Sequence, residues 1–205
     1  ISFHVGSQQT DLGQWDGAIG AVAQMFSLLA AADINLRMVN IGGGFPARYR
    51  SEVSPIEAYA RAVTAALTRH FGNDLPEVIV EPGRSLVGDA GLIQSEVVLI
   101  SDKGDGSDKR WVYLDVGKFN GLAETMGESI KYRIETPGRR GAMGPVVIAG
   151  PTCDSADILY ERTEYALPLE LEVGDKVEIL SAGAYTASYA SVGFNGFPPL
   201  RTYCI

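Results

Sequence analysis

The stretch LRMVNIGGGFP, residues 36–46, decides the fold. An apolar run of strand length ends in three glycines and a proline, which neither a strand nor a helix continues, so a strand stops at a loop near residue 41. On its N-terminal side Trp15, Ile19, Val22, Phe26 and Leu29 recur at helical spacing and predict one apolar stripe on a helix running to about Ala32. On its C-terminal side Ser54 as N-cap, Pro55 at the first helical position, Glu57 completing a capping box and Gly72 beyond the end bound a second helix. Its predicted inward face is Ile56, Tyr59, Val63, Leu67 and Phe71. EVIVEPGR, residues 77–84, then predicts a second buried strand, and ISFHVG at residues 1–6 an opening one. Strand, helix, strand, helix, strand with short connections predicts a parallel sheet covered by helices.

Past residue 90 the pattern changes. LIQSEVVLIS (92–101), RWVYLDVG (110–117), PVVIAG (145–150) and DKVEIL (175–180) are β-rich stretches between polar, glycine- and proline-containing loops, and no long helical stripe remains. These features place a boundary between Ala90 and Ile93 and predict a mainly antiparallel β-domain beyond it. The fold class is α/β followed by all-β, with domains at 1–92 and 93–205.

The 205 residues carry a formal net charge of -8, which argues against nucleic acid or an anionic membrane as the main partner, since both need a basic footprint. A small molecule or another protein is expected instead. No run reaches the roughly 18 apolar residues of a membrane span, and no basic-then-apolar leader opens the sequence. Two widely separated cysteines, Cys153 and Cys204, do not form a disulfide framework, so a reducing cytoplasm is the expected compartment. The first residue is Ile1, already in strand-like sequence, and the expectation is that residues upstream, or a second polypeptide, complete the fold.

In parallel α/β folds functional groups collect at the C-terminal ends of the strands. Here those ends carry His4 to Ser7, Gly42 to Gly44, and Glu81 to Arg84. Consecutive glycines let backbone N–H groups face a phosphate, a guanidinium adds a bidentate charged contact, a carboxylate holds a ring nitrogen protonated, and an imidazole lies flat on a ring. The set suits a phosphorylated aromatic cofactor. Taken singly, each piece has a plainer reading: a tight turn, a structural histidine, an arginine paired with a surface carboxylate. Glu81 is expected to be buried and therefore to need a partner.

SFHVGS, NIGGGFP, EPGR, GPTCDSAD (150–157), GAYT (183–186) and FNGF (194–197), in that order, resemble the ornithine/lysine decarboxylase branch of the fold type III pyridoxal-phosphate enzymes, over the whole chain. The resemblance implies the C-terminal part of a (β/α)8 barrel followed by a β-domain, with pyridoxal 5'-phosphate as cofactor. It implies that His4 stacks on the pyridine ring, Ser7 lies near the phosphate, and Gly42, Gly43, Gly44 and Arg84 cradle it. Glu81 partners the pyridine nitrogen, Tyr185 adds a hydroxyl to the phosphate, and Phe194 shapes the pocket. Cys153, contributed across a homodimer interface, helps to protonate the substrate carbon once carbon dioxide has left, and Asp154 binds the substrate's distal ammonium. A thiol gives up a proton far more readily than a serine hydroxyl, and a desolvated ammonium needs an opposite charge. The plainer alternative makes Cys153 a small buried hydrophobe and Asp154 a turn or cap residue. Asp157 is expected to be a solvated or capping residue. The reading assigns no metal.

Two departures matter. The family's Schiff-base lysine has no counterpart: Lys103, Lys109, Lys118, Lys131 and Lys176 all lie in polar loops or β-domain segments. The expectation is that an N-terminal barrel segment supplies it. Where the eukaryotic branch has a Tyr-Asp pair after its FN motif, this chain reads GKFNGLAETMGES, with Glu124 the nearest acid and a candidate to assist Asp154. The implied activity is decarboxylation of ornithine, or of lysine, to a diamine such as putrescine in polyamine biosynthesis. The alternatives are a diaminopimelate, arginine or carboxynorspermidine decarboxylase, or a non-catalytic homologue acting as a binding decoy. Diaminopimelate ends in a carboxylate that favours a nearby arginine, whereas GPTCDSAD offers carboxylates.

Overall fold

The computed structural model describes residues 1–104, 106 and 108–205, which divide into two compact units, Ile1–Gly88 and Asp89–Ile205. In the first, two helices, α1 (Gln14–Ala30) and α2 (Ile56–Phe71), alternate with two strands, β1 (Met38–Asn40) and β2 (Glu77–Ile79), before a single helical turn, α3 (Arg84–Val87). β1 and β2 run parallel, with Val39 opposite Val78 and Asn40 opposite Ile79. On the other side of β1 the opening residues form one parallel bridge, Ser2 to Asn40, rather than a strand. The sequence predicts a full strand there, but backbone bonds tie only Ile1 and Phe3 to Asn40 before the chain leaves toward Gly6 at φ +101°. β1 is therefore the central segment and β2 an edge.

That position explains a second correction. The strand ending in EPGR was expected to be buried, yet every residue of β2 is exposed, because an edge strand with no neighbour beyond it among the described residues has no layer over its side chains. The core lies instead where α1 and α2 cover β1. Trp15, Ile19 and Val22 from α1 meet Tyr59, Val63, Ala66 and Leu67 from α2 over Val39, Ile41 and Phe45. Trp15 stacks on Phe45 at 4.9 Å between ring centroids and meets Tyr59 edge-on at 5.9 Å. Each fully buried side chain of this kind contributes about 1.5–3 kcal/mol. Helix α2 begins one residue later than its cap signals suggest: Pro55 takes the cap position with extended backbone, and no side chain caps the first turn. Ile56, the first helical residue, is 53% exposed, and Ala66 joins Tyr59, Val63 and Leu67 in the buried stripe.

The second unit is one six-stranded sheet. Its strands are β3 (Ile93–Ser101), β4 (Arg110–Leu114), β5 (Arg133–Glu135), β6 (Met143–Ala149), β7 (Ile158–Pro168) and β8 (Lys176–Leu180). They are ordered β5-β8-β3-β4-β6-β7. Every neighbouring pair is antiparallel except β4 and β6, which run parallel. Alternation of buried and exposed residues from Ile93 to Val97 turns Ile93, Ser95 and Val97 inward, the period-two pattern of a sheet with one covered face. Among the described residues no helix is long and apolar enough to cross a membrane.

Candidate active site

The parallel pairing in the first unit brings three chain ends to one edge. Asn40 donates its N–H to Ile1 O at 2.8 Å, Phe3 donates to Asn40 O at 3.0 Å, and Glu81 donates to Gly42 O at 2.8 Å. His4, Gly42 and Glu81, each just past these contacts, therefore stand along one rim. The glycine triplet is packed between its neighbours. A Cβ on Gly42, Gly43 or Gly44 would run into the backbone carbonyl of Phe3, Glu81 or Gly6 respectively, closer than any real side chain sits. A Cβ on Gly42 would also lie 3.3 Å from His4 Nδ1, which places the imidazole beside the turn. Ser7 is exposed, in a loop fixed to Gly44 by the Gln9 N–H at 2.8 Å.

Glu81 is exposed rather than buried, since it projects from the open end of the edge strand. It still has a partner: the Asn40 amide donates to Glu81 Oε1 at 2.6 Å. Arg84 is buried, 5% exposed, and donates to the Tyr49 hydroxyl at 2.7 Å with its guanidinium 5.8 Å from the centre of the Tyr49 ring.

A second constellation forms within the β-unit. Asp157, expected to be solvated or capping, is 2% exposed. Its carboxylate accepts the backbone N–H of Lys118 at 2.7 Å, the N–H of Thr152 at 3.2 Å and the Thr152 hydroxyl at 2.8 Å. There is no space for a side chain on Gly117 or Gly150, because a Cβ on either would meet this carboxylate. One buried acid thus binds the 115–120 loop to the 150–157 loop, and the charge is tolerable because three donors solvate it. Burial pushes the Lys118 ammonium down, against the pull of the Asp157 and Glu128 charges.

On this base Cys153 and Asp154 are both exposed. Exposure removes the alternative of Cys153 as a small buried hydrophobe. Asp154 does act as a cap, its Oδ1 accepting the Ala156 N–H at 2.8 Å, while Oδ2 makes no hydrogen bond among the described residues. The Cys153 thiol receives the Asn195 amide at 3.4 Å, and Asn195 stands in left-handed backbone at φ +51°. Phe194 stacks on Phe119 at 4.1 Å, and Ser191 donates to Phe119 O at 2.7 Å, so the FNGF segment is tied to the same loops. Glu124 is half-buried in the 3-10 segment Ala123–Glu128, whose last residue is a buried acid. Burial alone would raise Glu128, but the Thr163 hydroxyl and the amides of 161–163 outweigh it and hold the carboxyl at about 2. Tyr185 is half-exposed on a turn, at φ +55°.

Comparison with known proteins finds similar decarboxylases. Residues 1–88 match the family described as pyridoxal-dependent decarboxylase, pyridoxal binding domain. Diaminopimelate decarboxylase of Helicobacter pylori is 34% identical over 202 residues, 98% of this chain and 47% of that protein. Lysine/ornithine decarboxylase of Selenomonas ruminantium is 30% identical over 199 residues, 96% of this chain and 48% of that protein. The solved lysine/ornithine decarboxylase of Vibrio vulnificus, complexed with cadaverine, superposes with a TM-score of 0.86 at 31% identity, covering all of this chain and 54% of that one. Residues 1–88 thus match the pyridoxal-binding domain of the pyridoxal-dependent decarboxylases, and the chain as a whole is similar in sequence and fold to members of that group. It spans about half the length of the curated relatives it matches.

The cofactor of this decarboxylase family is pyridoxal phosphate, and the rim fits such a group. It offers an imidazole beside a side-chain-free turn and a carboxylate already oriented by an amide, and α3 carries a buried guanidinium. No lysine occurs in residues 1–88. Sequence reasoning missed Asn40, Tyr49 and Asn195 and misjudged Asp157. Asn40 and Asn195 stood inside quoted motifs but had no signal of their own, Tyr49 had none at all, and Asp157 differs from a solvated acid only through its packed surroundings.

Proposed function

We propose that the protein containing these residues decarboxylates a basic L-amino acid, ornithine or lysine, to a diamine. The observation that carries the reading is the pairing of Cys153 with Asp154, adjacent and exposed on a loop whose base is fixed by the buried Asp157. When bound, pyridoxal phosphate supplies the electron sink for breaking the bond between Cα and the carboxylate. His4, Glu81, Gly42, Gly43, Gly44, Arg84, Ser7 and Tyr185 are the residues that would hold it.

The chain's own residues then divide the remaining work. Once carbon dioxide has left, the Cys153 thiol delivers a proton to Cα, the electron pair of the broken bond becomes the new C–H bond, and solvent restores the thiol. The Asn195 amide, already aimed at the sulfur, stabilises the thiolate in between. Asp154 Oδ2 meets the distal ammonium, assisted by Glu124, and Phe194 on Phe119 forms an apolar wall for the methylenes. In this reading the loop serves a second copy of the chain in a homodimer, and the lysine that carries the cofactor comes from outside these 205 residues. The proposed compartment is the cytoplasm.

The 34% identity to a diaminopimelate decarboxylase favours a second reading, with that substrate in place of ornithine or lysine. Carbon dioxide release from ornithine, lysine and meso-diaminopimelate, measured on the full-length protein with pyridoxal phosphate, separates them. The proposal expects ornithine or lysine to exceed diaminopimelate; ornithine and lysine differ by one methylene, worth about 1–3 kcal/mol. Preference for diaminopimelate transfers the assignment to the second reading. No release from any of the three overturns both readings and leaves arginine, carboxynorspermidine or a binding decoy.

A further inference from the structure

All four polar groups of Asn40 are engaged. Its backbone N–H and carbonyl join the opening segment, at 2.8 Å to Ile1 O and 3.0 Å from the Phe3 N–H. Its side-chain Oδ1 accepts the Gly42 N–H at 2.9 Å, and its Nδ2 donates to Glu81 Oε1 at 2.6 Å. The two side-chain bonds fix the orientation of the amide, because a backbone N–H can only donate and a carboxylate can only accept. β1 pairs with β2 so that Asn40 lies opposite Ile79, two residues short of Glu81, and the Glu81 backbone N–H is held by Gly42 O at 2.8 Å. Glu81 therefore has its main chain clamped by the glycine turn and its carboxylate clamped by the residue that shapes that turn.

We infer that Asn40 is a positioning residue, whose amide sets the Glu81 carboxylate at the angle needed to hold the cofactor's ring nitrogen and couples that angle to the glycine turn. The inference rests on the reading that Glu81 partners that nitrogen. A neutral amide suits the task. It orients one carboxylate oxygen by a charge-assisted bond without neutralising it, so the other oxygen keeps its negative charge for the ring. A carboxylate in place of the amide would face Glu81 Oε1 with a like charge, and the two acids would share a proton or swing apart.

The test compares binding of two probes to the full-length protein: pyridoxal phosphate, and its analogue with carbon in place of the ring nitrogen. Asn40→Asp keeps an oxygen for the Gly42 N–H and replaces the donor to Glu81 with a like charge. Asn40→Ser keeps a short acceptor for the turn but cannot reach Glu81, and it guards against misfolding of the first variant. Both variants are expected to bind pyridoxal phosphate about tenfold more weakly, the scale of a lost bond to a charged group, with less than about a twofold change for the carbon analogue. Glu81→Ala should show the same nitrogen-selective loss. If both probes weaken equally in the Asn40 variants, Asn40 merely builds the turn and the inference falls. It falls also if the Asn40 variants bind normally while Glu81→Ala shows the selective loss. If Glu81→Ala is itself unselective, the reading of Glu81 fails and the inference fails with it.

Discussion

Asp157 holds Lys118 through the backbone, its buried carboxylate accepting the Lys118 N–H at 2.7 Å between segments 39 residues apart in sequence. The same carboxylate takes both donors of Thr152, so the loop bearing Cys153 and the loop bearing Phe119 share one anchor. Asp157→Ala leaves three partly buried donors without an acceptor. The expected loss is about 2–4 kcal/mol of stability, read from urea or thermal unfolding. Asp157→Asn retains shape and one acceptor and should cost less. Equal stability of Asp157→Ala and the parent would show that water replaces the carboxylate and that the anchor is incidental.

Cys153 should behave in the opposite way. It is exposed and its contact with Asn195 is long, 3.4 Å, so Cys153→Ala should change stability by less than about 0.5 kcal/mol. If the thiol supplies the proton, turnover should fall about 100-fold, within the usual range for a general acid, while pyridoxal phosphate stays bound. Cofactor loss at unchanged turnover per bound cofactor would assign the thiol a structural role instead.

Glu128 sets an acid limit on the β-unit. Its carboxyl is held at about 2 in the folded chain against an ordinary 4.5, by the Thr163 hydroxyl and three amides that outweigh the cost of burial. A depressed folded value means that the carboxylate stabilises the fold fully above pH 4.5 and that this contribution disappears as pH falls toward 2. The side chain is only 11% exposed, and the shift corresponds to at most about 3 kcal/mol. Unfolding free energy measured from pH 6 down to pH 2 should decline in that window, and Glu128→Gln should be less stable at pH 6 with a flatter decline. An identical slope in the variant would move the acid sensitivity to other carboxylates.

The elements that the sequence made legible are those with a period. The α1 stripe from Trp15 to Phe26, the pairing of NIGGGFP with EPGR and the β-rich second unit all follow from patterning. What escaped was set by tertiary surroundings. The burial of Asp157 depends on two glycines, Gly117 and Gly150, that leave room for its carboxylate. The exposure of β2 depends on its place at the sheet edge, which an apolar run cannot reveal. Asn40 acts through a neighbour 41 residues away, and a lone asparagine at a strand end carries no mark of such a partner.

Tyr49 is the remaining case and the least legible. It is 5% exposed, and its hydroxyl accepts from the buried Arg84 at 2.7 Å while its ring lies 5.8 Å from the guanidinium. Tyr49→Phe keeps the ring and the cation–π contact but removes one acceptor from a desolvated cation. Loss of one bond to a charged group sets the expected cost at about 1.5–3 kcal/mol. If Arg84 also serves the cofactor phosphate, as the proposed function has it, two measurements should separate the roles. Unfolding of the cofactor-free protein reports the packing loss. Binding of pyridoxal phosphate compared with pyridoxal, which lacks the phosphate, reports the positioning loss, and only the former ligand should weaken in Tyr49→Phe. Arg84→Lys should weaken the same ligand further, because a single ammonium cannot engage a phosphate in the bidentate manner of a guanidinium. Equal weakening of both ligands in both variants would confine the Tyr49–Arg84 pair to the core of the first unit.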